Sequence, residues 1–516
     1  MALDILQTEF CTSTAQNVRL LAPAGSGKTL SLLWRCKYLS QVHDEKKQRF
    51  LIFTFTRVAR DELKQRIDTD DNLKELRELI RIDTLNRWGY NYLRKQVESS
   101  LVLKTRDEDL FSVVKHNLRP IWTKHPKLKS ALSAKQSKYV DLMNVIDALK
   151  TSGFRHDALD LMDSFVKHRT WLEQNGLLRY FEANIENVLQ GMGLLEAREG
   201  PTAGQMLPFL KFWKQACKHL WDNAIITLDD QKYWTLLKLQ EKYAESSFPE
   251  PNRYHHIMVD EFQDINPLDL FLIQQLVSVN RSSLTIVGDD DQAIYEWRGA
   301  TPRFILNPGE FFGVDFTTYK LGTNYRSPSS ILQHSQMLIA HNRNRVPKDV
   351  KSACKENAEI IHKCFKTHAE ATEYVAGLAR SAHAAGLPKG LAVLARKKSQ
   401  LIPLEIILTS EDIPFYAKED LNVLLSQAFG DLKGILEAIA TKNDRRAAND
   451  IVGSFLSCCN KVHTYPLPQD NSRPLYGYLL SRRPHTFMRC LDDFSYTTAP
   501  LGHARKMVPF WSMRFL

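Results

Sequence analysis

The stretch LLAPAGSGKTLSLL, residues 20–33, carries an apolar run to Pro23, turns through two glycines and opens a helical pattern at Lys28-Thr29. A phosphate-binding loop is built this way. Gly25 and Gly27 let backbone N–H groups approach a β-phosphate, Lys28 reaches the β/γ oxygens, and the Thr29 hydroxyl can hold Mg2+. Ala24 and Ser26 complete the turn and join the candidate nucleotide ligands. The first glycine of the pattern G-x-x-x-x-G-K-[ST] is Ala22 here, so a chance glycine-rich turn is the competing reading.

Such a loop works with a carboxylate on a neighbouring strand. In HHIMVDEFQD, Asp260 is placed to hold Mg2+ and Glu261 to polarise an attacking water, directly after the apolar run His256–Val259. An ordinary acidic strand end is the alternative. A third stretch, LTIVGDDDQAIYEWRGA (residues 284–300), follows another apolar run with Asp289, Asp290, Asp291 and Gln292, then Tyr295 and Trp297. Three carboxylates cannot all face a triphosphate without strong repulsion. One is therefore expected near the metal shell and the others hydrogen-bonded or solvated. The two aromatic faces are suited to stacking on nucleobases or to burial in a core.

Elements must hold these residues in place. Short apolar runs (VRLLAP, FLIFTF, HIMVDEF, LTIVGD, LAVLAR) alternate with longer helical periodicity, the pattern of parallel α/β layers with ligands at the strands' C-terminal ends. From about Asn91 to Glu241 the pattern turns helical and polar, as in an insertion, and after about Asn422 the strand signal fades again. The 516 residues, 43% of them hydrophobic, suggest two to four domains. Lys and Arg exceed Asp and Glu by 69 to 59, a net +10 compatible with a polyanionic partner. Residues 114–140 hold seven Lys or Arg and no acid, which suits either a phosphate-contacting face or a solvated helix face. Eight cysteines without C-x-x-C spacing indicate neither zinc nor a disulfide framework. No apolar run reaches about 18 residues and the start MALDILQTEF is acidic, so no membrane span or signal peptide is expected and the chain is placed in the cytoplasm.

The ordered stretches APAGSGKT, TFTRVARDELKQRI, VDEFQD, VGDDDQAIYEWRGA and LGTNYRS resemble superfamily 1 DNA helicases, and from about Gln7 to Asp450 the chain looks like the UvrD, PcrA and Rep group. Ala22 is that family's usual form. The resemblance implies RecA-like domains with parallel sheets and helical insertions, and ATP-driven movement on single-stranded DNA, with duplex junctions as a further partner. It implies that Gln292 contacts the γ-phosphate, that Tyr325 stacks on adenine, and that Arg326 reaches the γ-phosphate as an arginine finger. Gln7 lies near the place of the family's adenine-reading Gln. Phe55, Thr56, Thr84 and Asn86 match DNA-contacting positions, although the family more often has Phe and His at Leu85 and Asn86. Tyr295 and Trp297 then become a base platform beside a phosphate sensor.

The expected domains are 1–95 with 242–305 (first RecA-like domain), 96–241 (helical insertion), 306–421 (part of a second RecA-like domain) and 422–516 (an incomplete second insertion). The family's T-x-H-x-x-K-G-L-E motif and its later T-R-A motif are not clear; LGHARKMVPFW, with His503 and Lys506, is at best a faint echo, and chance spacing is the favoured reading. The expectation is thus a chain that stops in or just after the second insertion. Its alternative is a truncated or split form, an ATP-gated single-strand-binding module whose missing motifs reside on a second polypeptide.

Overall fold

The computed structural model describes residues 3–42, 48–134, 138–196, 203–242, 254–386, 390–397 and 400–417. The expected second insertion at 422–516, with His503 and Lys506, lies outside them. The chain divides into two compact units, Met1–Ile361 and His362–Leu516.

The first unit is organised by one sheet of six strands: β1 (Asn17–Leu21), β2 (Phe50–Phe53), β3 (Ile80–Asp83), β4 (His256–Val259), β5 (Ser283–Gly288) and β6 (Thr317–Lys320). Their spatial order is β3-β2-β4-β5-β1-β6, and every pairing is parallel. The apolar run FLIF and the run HIMV, apolar after His256, are buried along their whole length, because helices cover both faces of a parallel sheet. The two edge strands read differently. IRID and TTYK pair on one side only and keep half-exposed polar residues, so no apolar run announces them. Conversely, Leu391–Arg396, an expected strand, forms none. An apolar run becomes a strand only where a neighbour completes its ladder.

Register decides what the sheet presents. Leu21 pairs with Gly288, Phe53 with both Val259 and Asp83, and Val259 with Ile286. The segments beginning at residues 22, 54, 84, 260 and 289 therefore all leave the sheet at one edge. Helices follow directly: Lys28–Val42, Arg57–Thr69 capped by the Thr56 hydroxyl, Leu85–Gln96 capped by Thr84, and Pro267–Asn280 with an Asn266/Asp269 capping box. Arg35, fully buried, locks the Lys28 helix to the sheet by donating to the carbonyls of Phe10 and Ser13 (2.9 and 2.7 Å) and to the Thr285 hydroxyl (3.2 Å).

Between β3 and β4 the described chain is helical, as expected, apart from the short parallel pair Val102–Leu103 with Ile225–Ile226. Its large core includes Trp213, Phe165, Phe181 and Phe212. Two buried lysines knit it together and to the sheet domain: Lys150 pairs with Asp147 and Asp230 (2.9 and 2.8 Å), and Lys232 with Asp269 (2.8 Å). In the second unit, helices His368–Ala384 and Ile402–Ser410 pack through Ala376, Ala379, Leu404, Ile407 and Leu408. Among the described residues, no helix is long and apolar enough to cross a membrane.

Candidate nucleotide and nucleic-acid site

The turn after β1 has Gly25 at φ +71° and Gly27 at φ +82°, both in the left-handed region that a side chain disfavours. Space excludes one as well. A Cβ on Gly27 would stand 2.7 Å from the Gln7 amide nitrogen, and one on Gly25 would stand 2.6 Å from the Arg326 Cβ. Gln7 is buried; its amide donates to the Ser26 carbonyl (3.0 Å) and accepts from the Asp4 backbone N–H (3.0 Å). The Ser26 hydroxyl closes the turn onto the Pro23 carbonyl (2.6 Å), while Ala24 is exposed and Thr29 lies in the first turn of the following helix.

Lys28 is buried, and its ammonium donates to Glu261 Oε2 at 2.9 Å. Asp260 is buried at the end of β4 and accepts the Glu261 backbone N–H at 3.0 Å. Burial first, and the Glu261 charge second, push the Asp260 carboxyl up to about 7. Asp264 is pushed up to about 7 by the same two causes. Glu261 itself has φ +53°, a left-handed conformation uncommon for a residue with a side chain. Gln263 was not singled out in the sequence although it belongs to VDEFQD. Its amide nitrogen donates to Glu261 Oε2 (2.9 Å) while its oxygen accepts the Asp289 backbone N–H (3.0 Å). The two acidic motifs are thereby wired together.

The Tyr325 segment is seated on the phosphate loop. The Asn324 amide donates to the Ala24 carbonyl (2.9 Å), the Tyr325 N–H to the Gly25 carbonyl (2.8 Å), and the Tyr325 hydroxyl to Asp4 (2.6 Å). Gln7 and Tyr325 thus meet through Asp4, whose carboxylate also caps the helix Ile5–Cys11 that bears Gln7. Arg326 is exposed beside the loop.

Beyond β5, Gln292 donates its amide to Asp289 (2.6 Å). The chain then presents Tyr295 5.1 Å from Phe55, ring centroid to centroid, and 6.2 Å from Trp297. Trp297 is 68% exposed. Arg298, not among the residues expected from sequence, lies over all three rings at 5.6–6.0 Å. Its adjacency to Tyr295 and Trp297 was the available signal; the arrival of Phe55 was not. Thr56 and Thr84 use their hydroxyls as helix caps, and the Asn86 amide donates to the Leu228 carbonyl (3.0 Å), joining the sheet domain to the helical segment. Of the basic residues in 114–140, Lys115, Arg119, Lys124, Lys127 and Lys129 are exposed above a buried face of Leu118, Ile121, Trp122 and Leu128.

The carboxylates Asp289–Asp291, of which one was expected near a metal shell and the others hydrogen-bonded or solvated, are all engaged in hydrogen-bonded ion pairs. All three are held by cations from residues 345–348: Lys348 reaches each of them and Arg345 grips Asp291.

A parallel sheet with a glycine-rich phosphate loop after one strand and paired carboxylates after another defines a P-loop nucleotide-binding α/β protein. Residues 3–312 match the UvrD/REP helicase N-terminal domain, and residues 319–467 match the UvrD-like helicase C-terminal domain. The chain belongs to the UvrD-like helicase family, and its sheet is of the RecA-like kind expected. With the C-terminal domain represented, the truncated binding module loses favour. Among relatives, the chain is similar to ATP-dependent DNA helicase srs2 of Schizosaccharomyces pombe (26% identity; 82% of this chain, 45% of the relative). It is similar also to ATP-dependent DNA helicase PcrA of Staphylococcus epidermidis (25%; 90% and 58%) and to ATP-dependent DNA helicase Rep of Buchnera aphidicola (26%; 88% and 63%). The chain spans 45% to 63% of the length of these relatives.

Proposed function

We propose that this chain couples ATP hydrolysis to movement along single-stranded DNA and separates duplex at its junctions. The observation that carries the reading is continuity: Gln292 and the aromatic residues Tyr295 and Trp297 share one short loop, which is hydrogen-bonded through Gln263 to Glu261 and from there to Lys28. A change at the phosphates therefore has a short covalent and hydrogen-bonded path to the base platform.

In this reading the triphosphate lies along residues 24–29, where Lys28 exchanges part of its contact with Glu261 for the β/γ oxygens. Glu261, freed and set by its left-handed backbone, accepts the proton of the attacking water. Gln292 contacts the γ-phosphate, Arg326 adds positive charge there, and Tyr325 with Gln7 flanks the adenine. An oxygen donor set with the Asp260 carboxyl buried at the strand end beside Glu261 fits a hard divalent cation. Thr29 and Asp260 would hold Mg2+, which neutralises phosphate charge when bound. Phe55, Tyr295 and Trp297 stack on bases, while Thr56, Thr84 and Asn86 border the strand. Residues 1–95 with 242–305 form the first ATPase domain, 96–241 its insertion, and 306–421 belong to the second domain.

The test is an ATPase and strand-displacement assay on the 516-residue chain, with Lys28→Ala as control. DNA-stimulated turnover and unwinding, both lost in the variant, support the proposal. Turnover indifferent to single-stranded DNA would overturn it.

A further inference from the structure

Asp289, Asp290 and Asp291 gather their carboxylates within 4.8 Å of one another, an arrangement that calls for nearby positive charge. Here an ammonium fills the place. The Lys348 side chain is 2% exposed; its Nζ lies 2.7 Å from Asp289 and 2.9 Å from Asp291 and also bonds Asp290. Arg345 adds a two-pronged grip on Asp291 (2.8 Å twice), and the Val346 N–H donates to Asp290 (2.8 Å). Burial draws the Lys348 ammonium down, but the aspartates, Asp289 foremost, hold it above the ordinary lysine value. Asp291 is held below the carboxylate range, its burial outweighed by hydrogen bonds from Arg345 and Lys348.

The position of this cluster gives it consequence. Asp289 is the carboxylate that also receives the Gln292 amide (2.6 Å), and its backbone N–H donates to the Gln263 side-chain oxygen (3.0 Å). The aspartates lie in the stretch matching the N-terminal helicase domain, and residues 345–348 in the stretch matching the C-terminal one. Residues 289–291 and 345–348 themselves lie in the same compact unit, Met1–Ile361.

We propose that Lys348 is a positioning residue for ATP turnover: through Asp289 it orients Gln292, and with Arg345 it fastens the loop that continues into Tyr295 and Trp297 to the C-terminal-domain chain. The proposal rests on the ATPase reading above. Three buried carboxylates need their cations. Without Lys348 the turn must open to hydrate them, and Gln292 and the aromatic residues shift with it.

The experiment uses the full chain with Lys348→Met, Lys348→Arg and the charge-balanced double variant Lys348→Met/Asp290→Asn. Steady-state ATPase with oligo-dT, thermal melting and amide hydrogen exchange are measured on each. For Lys348→Met and the double variant, kcat should fall by about 10²-fold, the cost of displacing a reacting-site group by an ångström, with KM nearly unchanged. Exchange should rise in residues 289–297 and 342–350 alone, and Lys348→Arg should recover much of the rate. Turnover near wild type in the double variant, or a rate loss that Lys348→Arg does not lessen, overturns the proposal, as does exchange that rises throughout the unit. If the wild-type chain has no turnover that Lys28→Ala removes, the ATPase reading fails. The exchange pattern then still judges the clamp: unchanged exchange at 289–297 refutes it.

Discussion

Lys28 and Glu261, 233 residues apart in the chain, form an ion pair of 2.9 Å at the centre of the phosphate-loop edge. The pair holds the loop's cation in place and keeps a carboxylate, carried on a left-handed backbone, beside it. Removing either partner has a distinct signature. Lys28→Ala should abolish ATP turnover and leave single-strand affinity little changed, because the base platform lies on the other arm of the loop system. Glu261→Gln should keep nucleotide binding and lower turnover by about 10²–10⁴-fold, the usual range for a general base. Filter binding of labelled ATP alongside phosphate release separates the two variants; hydrolysis at wild-type rate in Lys28→Ala would remove the phosphate-loop assignment.

The phosphate loop itself is sterically closed to side chains. With φ at +82° and Gln7 2.7 Å from the place of a Cβ, Gly27→Ala should cost about 1–2 kcal/mol in backbone conformation alone, in addition to displacing Gln7. A lowered melting midpoint together with loss of ATP-analogue binding is expected. A variant that binds nucleotide normally would show that the turn rearranges freely.

Trp297 projects into solvent with 68% of its surface exposed, so its replacement removes little packing. Trp297→Ala should weaken binding to oligo-dT by about 1–3 kcal/mol, the worth of one base stack, with an unchanged melting midpoint. Fluorescence anisotropy with parallel calorimetry checks both halves, and a coupled loss of affinity and stability would assign Trp297 to the core.

His156 is buried against Trp213, Tyr233 and Trp234, and its backbone N–H donates to the Tyr233 hydroxyl (2.8 Å). That hydroxyl lies 2.8 Å from Nδ1, an arrangement suited to a neutral ring accepting its proton. Burial lowers the imidazole from its ordinary value to about 4. The unfolded chain, titrating near the ordinary 6.5, binds a proton that the folded chain refuses. This group's contribution is therefore present above about pH 6.5 and lost as the pH falls towards 4. Other groups titrate in the same window, so the comparison is with His156→Gln. The variant's stability deficit should shrink by about 3 kcal/mol at most between pH 7 and 4, as read from urea unfolding at each pH. A constant deficit would mean that the ring is already charged or solvated.

The sequence by itself determined what depends on neighbours in the chain: the glycine turn and its lysine, the carboxylates closing an apolar strand, and the central strands whose largely apolar runs are buried on both faces. The resemblance to helicases followed from the same local motifs. Edge strands Ile80–Asp83 and Thr317–Lys320 escaped notice because one-sided pairing leaves them polar. The tertiary structure alone decided the long-range partners. Parallel register brings Leu21, Phe53, Asp83, Val259 and Gly288 to one edge, which sets Arg298 among three rings and Gln263 between two acidic motifs. Lys348 and Arg345, ordinary cations in the sequence, become the counter-charges of Asp289–Asp291. Backbone preferences are set within a few residues, whereas the charge that a buried carboxylate requires is supplied by whichever distant segment the fold delivers to it.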